Sequence, residues 1–226
     1  MENTVTLLLL LIPCLVIAIV FHEVAHGYVA KLLGDPTASE RGRLTLNPIR
    51  HVDPIGTLLV PGALLLAGAP AFGWAKPVPV NQYRLRNPRY HMMAVAIAGP
   101  ASNFVLATLG AVLIGIASAI AGTSILAEDN VLGVALTMFL LINIFLGLFN
   151  LLPIPPFDGS HIVGGLLPDR LRYQWAKLQR VGIFLLIGVI AYSWWFGTGW
   201  LQSLLGPPLY YAMEFFVGIA DLVSGL

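Results

Sequence analysis

The sequence predicts an all-α, multi-pass membrane protein with five to six transmembrane helices and a re-entrant or β-hairpin segment near residues 55–86. Of the 226 residues, 58% are hydrophobic and 10% are charged, whereas a soluble globular domain carries about 25% charged residues. The mean hydropathy of the chain is +0.84. So little polar surface cannot cover the chain in water, and we expect membrane lipids to surround it.

Five stretches have the length and apolar composition of membrane helices, which need about 20 mostly apolar residues. They are residues 5–33, 91–121, 131–152, 181–200 and 207–224. The first begins after Met1 to Thr4, which contain no Lys or Arg, and no small-residue cleavage site follows it. It is therefore predicted to be a retained helix and not a cleaved signal peptide.

The basic residues cluster in three loops, whereas the loop near residue 128 contains Glu128 and Asp129 and no base. The three basic clusters are Arg41, Arg43 and Arg50; Lys76, Arg84, Arg86 and Arg89; and Arg170, Arg172, Lys177 and Arg180. Basic loops face the cytoplasm in membrane proteins. The charge pattern therefore predicts a multi-pass protein of the cell membrane with these three loops on its cytoplasmic side.

A further apolar stretch, residues 55–72, lies between two of the basic loops. Glycine and proline interrupt it, and residues 73–86 after it alternate like a strand. Because both flanking loops are predicted on one side, the stretch has to cross the membrane an even number of times. We expect a segment that enters and returns, packed against a polar cavity, since irregular backbone at membrane depth must be covered by protein or line water. A plain sixth span is the alternative.

Charge and cysteine content exclude some classes of function. A formal net charge of +1 argues against a nucleic-acid partner. Cys14 has no second cysteine to pair with in the sequence, so a disulfide or thiolate cluster within the chain is excluded, and Cys14 is expected to be a small core residue. The length favours a single domain over residues 1–226. The oligomeric state is not predicted.

The polar segment within the first helix has the spacing of a metal site. His22-Glu23-Val24-Ala25-His26 places two imidazoles four residues apart, on one face of a helix, where both can reach a single ion. Glu23 lies beside that face, as a general base for water would. Ionisable residues inside a membrane helix are costly and usually functional, so a purely structural polar cluster is the weaker interpretation.

A third ligand has to come from another part of the chain, and Asp158 is the best candidate. The prolines of Pro153-Ile154-Pro155-Pro156 end the preceding helix and force an extended turn, while Gly159 allows close backbone approach. If the first helix runs inward, 91–121 runs outward and 131–152 inward, so Asp158 reaches the side of His22 and His26.

Three other residues are candidate ligands. Asp35 and Asp53 are closer in sequence to the two histidines, but they have the placement of ordinary helix-exit and turn residues. His161 is either an outer group that supports the site or a spare ligand. Two asparagines, Asn103 and Asn150, are candidates for substrate or oxyanion contact, with hydrogen bonding between helices as the alternative.

The sequence resembles the site-2 protease family of membrane-embedded metalloproteases, in its compact bacterial or archaeal branch. Three elements carry the resemblance: FHEVAHGYVAKLLGD (21–35), AGPASNF (98–104) and FNLLPIPPFDGSHI (149–162). GRLTLNP, HVDPIGT and FGWAKPVPVN, between residues 42 and 81, also resemble that branch. In contrast to larger relatives, no stretch is long enough for a PDZ or CBS domain.

The resemblance implies an intramembrane zinc metalloendopeptidase with one Zn²⁺ per chain, whose substrates are transmembrane helices of membrane proteins. It implies His22, His26 and Asp158 as metal ligands and Glu23 as the base. It also implies a catalytic core of helices 5–33, 91–121 and 131–152, with 181–200 and 207–224 as accessory helices.

Two other classes of protein remain as alternatives. A metal transporter would use His22, His26 and Asp158 as a transit site. Transit requires polar residues along a path through the membrane, whereas the polar residues of these helices lie at a single depth. A catalytically inactive protein that binds membrane helices would not need an intact H-E-x-x-H. The sequence therefore supports both alternatives less well than it supports a protease.

Overall fold

The computed structural model describes residues 2–66, 68, 73–126 and 130–225, and these residues are helical or irregular, without a β-strand. The helices are α1 (Glu2–Leu32), α2 (Thr37–Glu40), α3 (Val60–Leu66), α4 (Pro88–Ala121), α5 (Val131–Asn150), α6 (Asp158–Leu166), α7 (Asp169–Phe196) and α8 (Trp200–Ser224). Short 3₁₀ turns at Pro48–His51 and Gln82–Arg84 and a π-helical turn at Pro54–Leu59 lie between them. The predicted all-α class is confirmed for the described residues.

Four of the described helices are long and apolar enough to cross a membrane: Thr6–Leu32 within α1, and α4, α5 and α7. They correspond to the first four predicted stretches, although α7 begins at Asp169 and not at residue 181. The fifth predicted stretch lies in α8, which is a helix but contains Glu214 and Asp221. Long apolar helices of this kind belong to a membrane protein, while a crossing by α8 stays a prediction.

Local sequence signals explain where the central helices begin and end. The Asn87 side chain accepts a hydrogen bond from the backbone N–H of Tyr90, and Pro88 occupies the first turn of α4, where the missing N–H costs nothing. Asn130 caps α5 in the same way, through the N–H of Gly133. The proline-rich turn that follows Asn150 prevents α5 from continuing.

Helix α4 is the centre of the bundle and packs antiparallel to both α1 and α5. Asn103 contacts Ala18 and Asn143, and Gly147 of α5 lies against Phe104. The buried core of this packing also includes α8, and its members are Ala107, Ala111, Ile114, Ile125, Leu140, Ile144, Phe216 and Ala220. Cys14 is buried, as expected of a small core residue.

The region predicted as re-entrant is helical in its first part. Residues 54–66 form the π-helical turn and α3, while residues 73–81 run extended with no ladder partner among the described residues. The predicted β-hairpin is therefore not confirmed. A physical reason is that Pro77 and Pro79 lack the N–H groups that a ladder requires. Part of the predicted segment, residues 67 and 69–72, falls outside the described residues.

The three basic clusters lie at one end of the bundle, although the third lies in the first part of α7 and not in a loop as predicted. Arg84 bonds to Glu40 and Thr37, which connects the first loop to the second. Arg89 donates to the carbonyls of Gly165 and Leu167, which connects the second loop to the segment before α7. The predicted acidic loop, with Glu128 and Asp129, falls outside the described residues.

Candidate metal centre

Two histidine side chains from α1 face each other where α1 crosses α4. His22 and His26 are four residues apart and therefore share a face of the helix. Their Nε2 atoms lie 3.0 Å apart, and the rings meet edge to face with centroids 4.6 Å apart. His22 is buried, and His26 is partly buried.

A carboxylate from the far end of the chain completes the group. Asp158 is the first residue of α6, directly after the proline-rich turn. Its Oδ2 lies 3.1 Å from His22 Nε2 and 3.3 Å from His26 Nε2. Gly159 makes this approach possible, because a Cβ at that position would overlap the backbone of Leu151 and Leu152.

Hydrogen bonds at the other ring nitrogens determine the tautomer of each histidine. His26 Nδ1 lies 2.7 Å from the carbonyl oxygen of Val95, which can only accept, so Nδ1 carries the proton. His22 Nδ1 lies 2.7 Å from Asn103 Oδ1 and donates to it. In neutral imidazole the proton on Nδ1 leaves Nε2 with a lone pair. Both Nε2 atoms therefore present lone pairs to Asp158.

These three atoms have the chemistry and spacing of a metal site. Two imidazole lone pairs and a carboxylate oxygen converge, and Asp158 Oδ2 is buried without a hydrogen-bond partner. Unpaired acceptors in contact would repel one another unless a cation lay between them. Ligands about 2.0–2.1 Å from a tetrahedral Zn²⁺ are separated from one another by about 3.3 Å, and the distances here are 3.0, 3.1 and 3.3 Å. The donor set fits Zn²⁺.

Gly99 of α4 leaves room for the two histidine rings. A Cβ on Gly99 would lie 2.6 Å from His22 Nε2 and would also overlap His26 Nε2. Real Cβ atoms do not approach other heavy atoms this closely. Only glycine at this position lets α4 pack against the two metal-binding nitrogens.

A chain of buried amides supports His22. The Asn103 side chain accepts from His22 and donates from Nδ2 to Ala18 O and to Asn143 Oδ1, at 3.2 and 3.1 Å. Asn143 in turn donates to the carbonyl of Phe139 at 2.8 Å. Partners that orient a metal-binding histidine in this way typically raise its metal affinity 10–100-fold. Asn143 is not among the predicted site residues, although an amide inside an apolar helix is a usable signal.

Glu23 contacts the extended segment 76–81, which lies along α1. Its Oε2 accepts a hydrogen bond from the backbone N–H of Val78 at 2.7 Å. Asp35 holds the other end of this segment: its carboxylate accepts hydrogen bonds from the backbone N–H groups of Thr37 and Asn81. Burial raises the pKa of Asp35, but hydrogen bonds from the Thr37 hydroxyl and from the backbone N–H groups of Asn81 and Thr37, together with the charge of Arg84, outweigh burial and hold the pKa below its usual range. Two carboxylates thus fix segment 76–81 beside the metal centre.

The remaining candidate residues, Asn150, Asp53 and His161, each have contacts of their own. The Asn150 amide donates to Leu146 O within its own helix. Asp53 caps the π-helical turn through Ile55 N and Gly56 N, so Asp35 and Asp53 have the structural contacts expected of helix-exit and turn residues. His161 lies one helical turn after Asp158, with its Nδ1 3.4 Å from Gln179 Nε2.

Two histidines on a helix of membrane-spanning length and an aspartate at the start of the short helix α6 form a zinc-type donor set, as is expected of a membrane-embedded metallopeptidase. The sequence profile of Peptidase family M50 matches residues 113–190. "Putative zinc metalloprotease YwhC" of Bacillus subtilis (strain 168) is 41% identical over 181 residues, which cover 79% of this chain and 80% of that protein.

Two mycobacterial proteins are also similar. "Putative zinc metalloprotease Rip2" of Mycolicibacterium smegmatis (strain ATCC 700084 / mc(2)155) is 30% identical over 83% of this chain and 70% of its own. The protein of the same name from Mycobacterium tuberculosis (strain ATCC 25618 / H37Rv) is 31% identical over 84% of this chain and 71% of its own. No solved structure matches the chain significantly.

The chain belongs to peptidase family M50, the site-2 protease family. It is an intramembrane zinc metalloprotease with Zn²⁺ as its cofactor. The resemblance seen in the sequence is thereby confirmed, and neither a metal transporter nor an inactive helix-binding protein is favoured.

Proposed function

We propose that His22, His26 and Asp158 hold the Zn²⁺ and that Glu23 is the general base. The reaction is hydrolysis of peptide bonds within or near transmembrane segments of membrane proteins. The observation that carries this proposal is the convergence of three acceptor atoms, two of them imidazole nitrogens whose tautomers are set by Asn103 and Val95. These residues lie on α1 and α6 and are supported by α4 and α5, and residues 1–226 act together as one catalytic domain.

The chemistry that Zn²⁺ supplies when bound is Lewis acidity, which polarises a carbonyl group and makes water nucleophilic at neutral pH. Glu23 takes a proton from the attacking water and returns it to the leaving amine. The hydrogen bond from Val78 N–H to Glu23 Oε2 orients the carboxylate for this task. Asn103 positions His22 through its Nδ1 atom. Asn150 is kept as a candidate for contact with substrate.

The substrate has to be extended where it is cut. A helix hides its carbonyls in bonds between residues i and i−4, so a transmembrane helix must unwind locally before hydrolysis. Segment 76–81 is the described extended backbone beside Glu23. Because Pro77 and Pro79 lack N–H groups, it offers few donors for strand addition by a substrate. We therefore expect side-chain pockets to contribute more to substrate binding than backbone pairing.

The orientation we propose places the metal centre toward the cytoplasmic side of the cell membrane. The supporting observation is that the three basic clusters, two in loops and one in the first part of α7, lie at one end of the bundle and are connected through Arg84 and Arg89. His26 lies closer to that end than His22, since α1 ends at Leu32. Basic loops of this kind are retained in the cytoplasm.

Removal of the metal is expected to stop cleavage reversibly. The purified protein in detergent would be treated with 1,10-phenanthroline and given a single-pass transmembrane peptide, and products would be identified by mass spectrometry. Cleavage should fall with zinc content and return when Zn²⁺ is added back. A ratio of one Zn²⁺ per chain that persists through turnover separates an enzyme from a transporter. Cleavage by zinc-free protein would contradict the proposal.

A single substitution can remove the backbone N–H of Val78, which orients Glu23. Val78→Pro deletes the backbone N–H but suits an extended segment that already contains Pro77 and Pro79. We expect kcat to fall about tenfold, because a charge-assisted hydrogen bond contributes about 1.5–3 kcal/mol, while zinc content stays unchanged. Val78→Ala, which keeps the N–H and shortens the buried side chain, is the control. Equal kcat in the two variants would mean that the N–H does not orient Glu23.

A further inference from the structure

Two adjoining cavities lie at the end of the bundle that carries the basic loops. One has a volume of about 460 Å³ and lies between the start of α4 and helices α6 and α7. The other has a volume of about 520 Å³ and lies beside residues 79–83 and Arg41. Both share Gln82, Met92 and His161 as lining residues. We call the two together the basic-end groove, and each part lies within the roughly 300–1,000 Å³ of ligand pockets.

The basic-end groove lies close to the metal centre along α6. His161 lines both cavities, and it lies three residues after Asp158 on α6. Residues three apart on a helix share a face, so the middle of the groove is one helical turn from a proposed metal ligand. A polypeptide that is cut at the metal centre can therefore continue into this groove.

The charges lining the groove are predominantly positive. Arg41 lines one cavity, and Arg89 and Arg172 line the other together with a single carboxylate, Asp169. Asp169 Oδ1 is shared by both guanidinium groups, at 3.5 Å from Arg89 and 3.3 Å from Arg172. One carboxylate cannot neutralise two guanidinium groups, and Arg41 adds a third positive charge. The groove therefore has a surplus of positive charge.

We propose that the basic-end groove binds the part of the substrate polypeptide that leaves the membrane next to the scissile bond, and that it prefers acidic side chains there. This inference rests on the proposed function, because it names the substrate class of the same site. Charged groups of like sign are excluded from such a surface and groups of opposite sign are attracted. The groove thus selects substrates by their charge outside the membrane.

The test uses three single-pass transmembrane peptides that differ only in the flank outside the membrane, which contains glutamate, glutamine or lysine residues. The full-length enzyme and the variants Arg172→Glu and Arg41→Glu are compared for kcat and KM. Arg180→Glu is the matched control, since Arg180 is exposed on the same helix as Arg172 but does not line either cavity. Binding of the fluorescent peptides to Glu23→Gln protein is measured in parallel by anisotropy, without cleavage.

The wild-type enzyme should show a KM about fivefold lower for the glutamate flank than for the lysine flank, at similar kcat and with a difference that shrinks in high salt. Arg172→Glu should reverse this order and Arg180→Glu should not. Equal KM values for all three peptides with the wild-type enzyme, together with equal binding of the three peptides by the Glu23→Gln protein, would overturn the inference. If no peptide is cut, the proposed function fails, and the anisotropy measurements still decide whether the groove selects acidic flanks.

Discussion

Replacement of Glu23 by glutamine is expected to abolish peptide hydrolysis while leaving Zn²⁺ bound at one per chain. Glutamine keeps the shape of the side chain and an oxygen that accepts from Val78 N–H, but it cannot take a proton from water. General-base catalysis contributes about 10²–10⁴-fold to rate, so residual turnover should be at or below the detection limit. The three proposed metal ligands are unchanged in this variant.

The measurement is mass spectrometry of a single-pass substrate co-expressed with the native or the substituted enzyme, together with zinc analysis of the purified protein. Glu214→Gln is the matched control, because it makes the same chemical change on α8, where Glu214 accepts from Tyr210 at 2.6 Å. The control should cleave normally. Turnover retained by Glu23→Gln would refute the role of Glu23 as base, and loss of zinc would mean that Glu23 supports the metal centre instead.

The sequence predicted much of the candidate site because each predicted contact depends on a local rule or on topology. Helical spacing brings His22 and His26 to one face, and helix parity brings Asp158 to the same side. The partners of the ring nitrogens were not predicted. Val95 acts through a carbonyl and Asn143 acts through Asn103, and neither relation can be derived from residue type alone.

The sequence predicted the long helices of the fold well and the region of residues 73–86 poorly. Long apolar stretches predicted α1, α4, α5 and α7, because a membrane sets the length of a helix. The alternation in residues 73–86 predicted a strand, whereas residues 76–81 are extended without a ladder and are held by contacts to Glu23 and Asp35. An alternating pattern shows which side chains share a face of a strand. A sheet also requires backbone N–H donors, and Pro77 and Pro79 have none.

Substitution of Gly99 by alanine is expected to disrupt the metal centre although it adds one methyl group. The new Cβ would lie 2.6 Å from His22 Nε2 and would overlap His26 Nε2. The rings cannot move aside without breaking the bonds that Asn103 and Val95 make to their Nδ1 atoms. Forcing extra atoms into a packed site costs about 1–3 kcal/mol, and we expect zinc affinity to fall at least about tenfold, with loss of cleavage.

A destabilising effect of Gly99→Ala would be diagnostic of the clash with the histidine rings, because alanine ordinarily stabilises a helix by about 1 kcal/mol relative to glycine. Gly188→Ala is the matched control: Gly188 lies within α7 and a Cβ there would meet nothing within 4 Å. The control should retain zinc and unfold at the same or a higher temperature, measured by thermal unfolding in detergent. Gly99→Ala should lose zinc by elemental analysis and unfold earlier. Full zinc occupancy in Gly99→Ala would show that α4 does not pack against the metal-binding nitrogens, and the proposed ligand geometry would then be wrong.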